Sequence, residues 1–453
     1  MSKNIVLKKG QNIPITGESD LFVSKTINPG IAAVQPTEFK GLLPRLLVKE
    51  GDAVLCGSPV IADKKNADIL LTSPVSGKVK EIVRGEKRKL LAVLIESDDE
   101  QKDFDFGAKN VDKLTAEEIK SAIMAAGLWP FLVQRPYGIL ADPQAQPRSI
   151  FCSAFNTAPL AADVEFCYAD KFKAIQTGVN ALNKLTEGGV HVSLNADNAS
   201  STVFARLENA VLHFFQGKHP AGTVGVQIAN ICPIRKNEVV WTVSLAGLAA
   251  IGALFNTGKL NLRRKVAVCG PMAIQPSYVE TVPGMPMTDI AGYYGSTADE
   301  TRFISGNVLS GKNVGQNGYL GFRDDQITLI REGRDRELFG WIRPIRYKQF
   351  STDHCYFSWL MPWRKYNMDT NLHGGPRAFL MNDSYYSKVL PMDLFPIYLA
   401  KACLAGDIDK MEKFGIYEVL PEDLALCEFV DPSKNDIQDM IEKGIDLMLK
   451  EMA

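Results

Sequence analysis

Eight cysteines stand at positions 56, 152, 167, 232, 269, 355, 403 and 427, and five histidines at 191, 213, 219, 354 and 373. Thiolates and imidazoles hold metals when they recur at short intervals, so that one turn or hairpin presents a pair. No two cysteines form a C-x-x-C pair and no histidines have metal spacing. Neither structural zinc nor a cysteine-ligated cluster is encoded locally, and no metal site can be nominated. No G-x-G-x-x-G occurs, so a dinucleotide fingerprint is absent. The run Gly306-Asn307-Val308-Leu309-Ser310-Gly311-Lys312-Asn313 has the outline of a phosphate loop. Asn313 stands where Ser or Thr should bind magnesium, and Val314 to Gly318 could not open a helix to receive phosphate. It reads as a plain loop.

The elements that must position any site begin with a paired segment from Val48 to Val79. One half is Val48-Lys49-Glu50-Gly51-Asp52-Ala53-Val54 with Gly57-Ser58-Pro59-Val60, and the other is Ser73-Pro74-Val75-Ser76-Gly77-Lys78-Val79. Gly51 and Gly57 supply the positive φ angles that hairpin corners need. Short apolar runs between these turns, such as Val60-Ile61 and Ile69-Leu70-Leu71, predict a small closed sandwich or barrel. From Thr115 the period changes. Thr115-Ala116-Glu117-Glu118 is a helix start, Ile119, Ile123 and Met124 give its apolar face, and Ala126-Gly127 ends it. A strand over 149–155, a helix near 171–187, a strand over 190–194 and a helix near 202–215 then predict an open α/β sheet. Strands follow at 266–271, 278–284 and 326–333. The last ~75 residues read as helical, with Ile437, Met440, Ile441, Ile445, Met448, Leu449 and Met452 along one helix face.

Length and charge bound the function. A chain of 453 residues should form three or four domains. Its net charge of −1 gives no electrostatic case for nucleic acid or for general adhesion to anionic lipid. The N-terminus lacks a signal-peptide core, and the scattered thiols suit a reducing compartment. The longest apolar window, Trp241 to Phe255, is shorter than the ~20 residues a bilayer crossing needs and reads as a buried helix. Membrane association is therefore expected to come through a partner.

The G-D-x-V-x-x-G half followed by S-P-V-x-G-x-V resembles the biotinyl/lipoyl-type barrel-sandwich. A carrier of that type bears its modified lysine on the hairpin between the halves, where this chain has Asp63-Lys64-Lys65. Two readings stand: an attachment point at Lys64 or Lys65, or two solvated lysines on a turn. No Met-Lys-Met brackets the position.

Across the whole chain the pattern resembles the A subunit of the sodium-translocating NADH:quinone reductases. The matching stretches are His219-Pro220-Ala221-Gly222 with Gly225 and Val239-Val240-Trp241, then Leu254-Phe255-Asn256-Thr257-Gly258 with Cys269-Gly270-Pro271. Ser305 to Gly311, Tyr319-Leu320-Gly321, Arg331-Glu332-Gly333 and Glu337-Leu338-Phe339-Gly340-Trp341 match too, as do Val389-Leu390-Pro391-Met392-Asp393 and Ala405-Gly406-Asp407. The resemblance implies an α+β multidomain fold. Its parts are a barrel-sandwich over 1–105, a Rossmann-like α/β domain over 106–258, a small SLBB-like β-grasp domain over 259–340 and a mainly helical domain over 341–453.

The family is related to the C subunit of the Rnf complex and to the flavin-bearing subunit of respiratory complex I. Those relatives hold flavin on a glycine-rich loop, at the place where this chain has Ala126-Gly127-Leu128-Trp129-Pro130-Phe131. Leu128 and Trp129 replace glycines that would let backbone N–H groups approach phosphate, so the flavin site should be lost. Likewise, Cys427 followed by Asp431-Pro432 cannot supply the four thiolates of a cluster. The resemblance thus implies a peripheral subunit on the cytoplasmic face of the bacterial inner membrane, with no redox cofactor of its own. FAD, FMN, riboflavin and iron–sulfur centres would sit on other subunits, including integral membrane ones. Quinone is a possible ligand, with His219 and Trp129 as contact candidates. Set against that are a loop histidine before a proline turn and a core tryptophan. The alternatives for the whole chain are a stand-alone flavin- or NADH-dependent oxidoreductase and a lipoyl- or biotin-type carrier.

Overall fold

A computed structural model describes the chain except for Met1, 336–339, 341–345, 353–355, 372–380 and 452–453. His354, Cys355, His373, Met452, and Glu337 to Phe339 with Trp341 from the family-like stretches, lie outside the described residues.

The paired segment near the N-terminus folds as two facing sheets. One holds Ile31–Val34, Leu90–Ser97, Gly77–Arg84 and Ala53–Val54, and the other Pro44–Leu46, Pro59–Asp63 and Leu70–Thr72. Val60, Ile61, Val79, Val93 and Ile95 are buried between them. Gly51 and Gly57 take φ of +92° and +95°, as the turn pattern requires. Lys64 and Lys65 stand exposed on the turn between two strands of the smaller sheet.

The first 26 residues add no strand to these two sheets, whose strands begin at Ile31. Asn4–Val6 pairs in parallel with Ala210–Gln216 of the α/β sheet, and Val23–Thr26 pairs with Ser277–Thr281 of the second sheet. The N-terminal segment therefore laces two distant units together. Such long-range pairing leaves no local signal in the sequence.

The α/β sheet has seven strands in the order Asn4–Val6, Ala210–Gln216, Val190–Asn195, Ile150–Ser153, Val240–Thr242, Val133–Arg135, Ile139–Leu140. The first five run parallel and the last two form an antiparallel edge. Two sequence expectations change here. The stretch 202–215 is a short 3-10 turn, Val203–Arg206, and then a strand, not a helix. Asn209 at φ +58° breaks the chain, and the β-branched and aromatic run after it finds a register against Val190–Asn195. Trp241 likewise belongs to a strand. The buried helix begins at Leu245, after Ser244 caps it by accepting from the Gly247 N–H, and ends at Gly258 in the left-handed region.

That helix, Leu245–Thr257, packs backbone to backbone on Phe172–Asn183. A Cβ on Gly252 would lie 1.7 Å from the Ala174 carbonyl oxygen, and one on Gly178 would lie 2.2 Å from that of Leu248. The helix start predicted at Thr115 forms as a full capping box with Glu118. A further sheet holds Arg264–Cys269, Ser277–Thr281, Thr301–Ser305, Lys312–Asn313 and Gln326–Arg331 with the N-terminal Val23–Thr26. The end of the chain is helical, closing on Ile437–Glu451, whose Ile437, Met440, Ile441, Ile445 and Met448 are buried as the apolar stripe predicts. No helix among the described residues is long and apolar enough to cross a membrane.

Candidate functional site

In an open parallel sheet, ligands collect beyond the carboxyl ends of the strands, where the chain reverses its direction of travel across the sheet. Here the chain runs outward from Ile150–Ser153 through Val190–Asn195 to Ala210–Gln216, then crosses back to Val240–Thr242 on the other side. A cleft of about 760 Å³ opens at that point, walled by Ser153, Phe155 and Asn156 from one strand end and by Thr242, Val243 and Ser244 from the other. Glu38 and Lys40 from the barrel, Gly306, Asn307, Leu309 and Arg323 from the second sheet's loops, and Leu420 and Glu422 from the helical domain close it. All four units meet here.

His219 is one wall of this cleft. The N-terminal segment fixes it: Asn12 Oδ1 accepts its backbone N–H at 3.0 Å and Gln11 donates to its carbonyl at 2.8 Å. Gly10 lies so close that a Cβ there would stand 2.5 Å from the same carbonyl oxygen. Thr157 Oγ1 meets Nδ1 at 3.2 Å, and burial pushes the imidazole down to about 4, so the ring is neutral near pH 7. Trp129 is elsewhere. It is wholly buried, edge-on to Trp241 at 5.5 Å, with its indole N–H donating to the Ala141 carbonyl at 2.7 Å. Trp129 belongs to the core and is not a wall of the cleft. The sequence paired these two residues, and the structure separates them.

The charged groups of the cleft are mostly engaged. Lys40 binds Glu442 at 2.6 Å and Asp446 at 2.8 Å. Arg323 spans the Pro130 carbonyl with Nε at 2.9 Å and Nη2 at 2.5 Å and lies over the Phe39 ring. Glu38 accepts from the Phe322 N–H at 2.7 Å, and burial raises its carboxyl to about 7. Beneath Glu422, Arg135 pairs with Asp423 at 2.6 Å and with Glu422 at 2.7 Å. Phe131, Phe155, Leu245, Leu309 and Leu420 add apolar faces to a lining that also holds Ser153, Asn156, Thr242, Asn307 and Gln326. Apolar faces with polar groups set among them can hold a flat, weakly polar ring. The loop from Gly306 to Asn313 turns back through Asn307, whose side chain accepts from the N–H groups of Leu309 and Ser310, as a plain loop would. Glu38, Arg323 and the Arg135–Asp423 pair were invisible to sequence reasoning, since 288 positions separate Arg135 from its partner.

The architecture defines a multidomain α/β protein in which a barrel-sandwich, an open parallel sheet, a second β unit and a helical end share one central cleft. Matches to family models follow that division: the NqrA N-terminal barrel-sandwich hybrid domain over 5–98, the NqrA second alpha/beta domain over 114–260 and the NQRA C-terminal domain over 265–316. The chain is similar to the A subunit of the Na(+)-translocating NADH-quinone reductase of Yersinia pestis, at 38% identity over 95% of this chain and 96% of that one. It also matches the corresponding subunit of Neisseria meningitidis at 36% over 99% and 100%, and that of Vibrio campbellii at 35% over 99% and 100%. The chain belongs to the NqrA family, the A subunits of the Na(+)-translocating NADH-quinone reductases, and so forms one subunit of that sodium-pumping enzyme.

Proposed function

We propose that this chain is the peripheral, cytoplasm-facing subunit of the pump, that it carries no flavin or cluster of its own, and that its cleft receives the quinone ring. The finer fold labels belong to the same reading: a biotinyl/lipoyl-like barrel, a Rossmann-like sheet, an SLBB-like β-grasp unit and a helical tail, kept from a cofactor-binding ancestor. The observation that carries it is the stretch from Ala126 to Phe131. Leu128, Trp129 and Phe131 are buried in the core, and Gly127, at φ +70°, is packed so that a Cβ would stand 2.3 Å from Thr72 Oγ1. That glycine serves an interdomain contact and offers no backbone to a phosphate. Cys427 is equally engaged in packing, its thiol pushed up by burial.

What then remains at the switch point is the cleft, its apolar faces set among polar groups, with the neutral His219 at its wall. A neutral imidazole can donate to a quinone carbonyl without stranding a charge in a partly buried site. The test has two parts. The purified chain should be colourless, and a water-soluble quinone should quench its tryptophan fluorescence, with the affinity falling about tenfold in His219→Ala. Stoichiometric FMN in the purified chain refutes the first statement. Quenching that His219→Ala leaves unchanged refutes the second.

A further inference from the structure

The net charge of −1 conceals a segregated region. Between 346 and 366 the chain has four basic residues, Arg346, Lys348, Arg364 and Lys365, against a single acid, Asp353. The same stretch exposes several large apolar side chains. Phe357, Trp359, Leu360 and Trp363 are 44%, 50%, 51% and 79% exposed, whereas Ser358 between them is buried and bonded to the Ser351 N–H at 2.9 Å. A short 3-10 turn, Phe357–Leu360, followed by Met361 and Arg364 in successive turns, holds the apolar side chains outward on a fixed base. The base is tied to the body of the protein: Phe350 stacks near Tyr366 and Phe429, and Tyr366 bridges to the N-terminal segment at Ile15.

Large apolar side chains seldom protrude together from a soluble surface without a partner. The chemistry of the rim says which partner. Arg364 lies 5.7 Å from the centre of the Tyr347 ring and 5.5 Å from that of Tyr366, and Lys348 lies 5.8 Å from Tyr347. Among the described residues no carboxylate pairs with Lys348 or Arg364, while Lys365 is neutralised by Glu18. Tryptophan and tyrosine beside such cations match the headgroup level of a bilayer, where rings meet the acyl boundary and cations meet phosphate.

We propose that this patch, Phe357, Trp359, Leu360 and Trp363 with the cations Lys348 and Arg364, is a contact surface for an anionic lipid bilayer. The chain thereby touches the membrane directly, in addition to any hold its partner subunits provide. Membership of a membrane-bound pump supplies the setting. The quinone reading does not enter, so either can fail alone.

The full chain is sedimented with vesicles of phosphatidylglycerol and phosphatidylcholine in equal parts, and with phosphatidylcholine alone. Binding is expected to the anionic vesicles only, to weaken with added salt, and to shift tryptophan emission to the blue. Trp363→Ala should weaken it about tenfold, from the loss of one buried ring. Arg364→Gln should weaken it about fivefold, one cation's share near such a surface. Trp363→Phe should restore most of the binding. Tyr398→Ala, an exposed aromatic on another helix, should leave it unchanged. The proposal fails if neither vesicle binds, or if Trp363→Ala and Arg364→Gln bind like the parent. It fails too if only vesicles carrying the pump's membrane subunits capture the chain, which would make the occupant a protein.

Discussion

Removing the carboxylate of Asp423 tests the claim that a buried ion pair docks the helical domain on the α/β sheet. The Arg135 side chain is 2% exposed and that of Asp423 is fully buried, with 2.6 Å between them. Asp423 also accepts from the Leu420 N–H at 2.8 Å, which sets the turn that follows. Gly225 makes room for the pair, since a Cβ there would stand 2.1 Å from the carboxylate and 2.4 Å from the guanidinium. Taking one partner from such a pair strands the other charge in a low dielectric and costs about 3–5 kcal/mol. Glu422 stays 2.7 Å from Arg135, but its side chain is 47% exposed and screened by water, so the loss in Asp423→Ala should sit near the lower figure, about 3 kcal/mol. Urea unfolding, with hydrogen exchange read over the helices after Pro396, measures it. The double variant Arg135→Met with Asp423→Leu should recover much of the loss, because the only charge then left without its partner, that of Glu422, is half exposed to water, giving a coupling of about 2 kcal/mol or more. A cost for Asp423→Ala below about 1 kcal/mol, or a double variant as unstable as the two single losses added, would refute the reasoning.

Two further outcomes follow from packing and from titration. Gly252→Ala places a methyl 1.7 Å from the Ala174 carbonyl oxygen, which is backbone and cannot swing aside, so it should destabilise by about 3 kcal/mol or more. A thermal melt indistinguishable from the parent would show that the two helices separate freely. Glu38 is raised from 4.5 to about 7, so the fold disfavours its ionised form. As pH rises from 4.5 to about 7 the unfolded chain gives up this proton and the folded chain keeps it, so Glu38 subtracts stability across that window, by roughly 3 kcal/mol in full. His219, lowered from 6.5 to about 4, acts with the opposite sign, and its contribution is lost as pH falls from 6.5 to about 4. Glu38→Gln should therefore gain stability over the parent progressively between pH 4.5 and 7, in unfolding experiments run across that range. A difference that does not change with pH would exclude the assignment.

The sequence by itself determined the elements whose signals are local. Gly51 and Gly57 mark corners because only a residue without Cβ takes their φ at no cost, and Thr115 with Glu118 satisfies a helix start within four residues. The apolar stripe from Ile437 to Met448 reads directly as a buried helix face, and the family-like stretches identified the kind of protein. Tertiary structure decided the rest. A run such as Ala210–Gln216 is helical or extended according to the neighbour it finds, and the strand Val190–Asn195 offered it a full register of hydrogen bonds. Nothing near Asn4 announces a partner 210 positions away, nor near Arg135 that Asp423 will neutralise it. His219 and Trp129 looked alike as ring-bearing candidates in the chain, but burial sent one to a cleft wall and the other to the core. Side-chain type and spacing act over a turn or two, whereas a cleft shared by four units exists only once their surfaces have met.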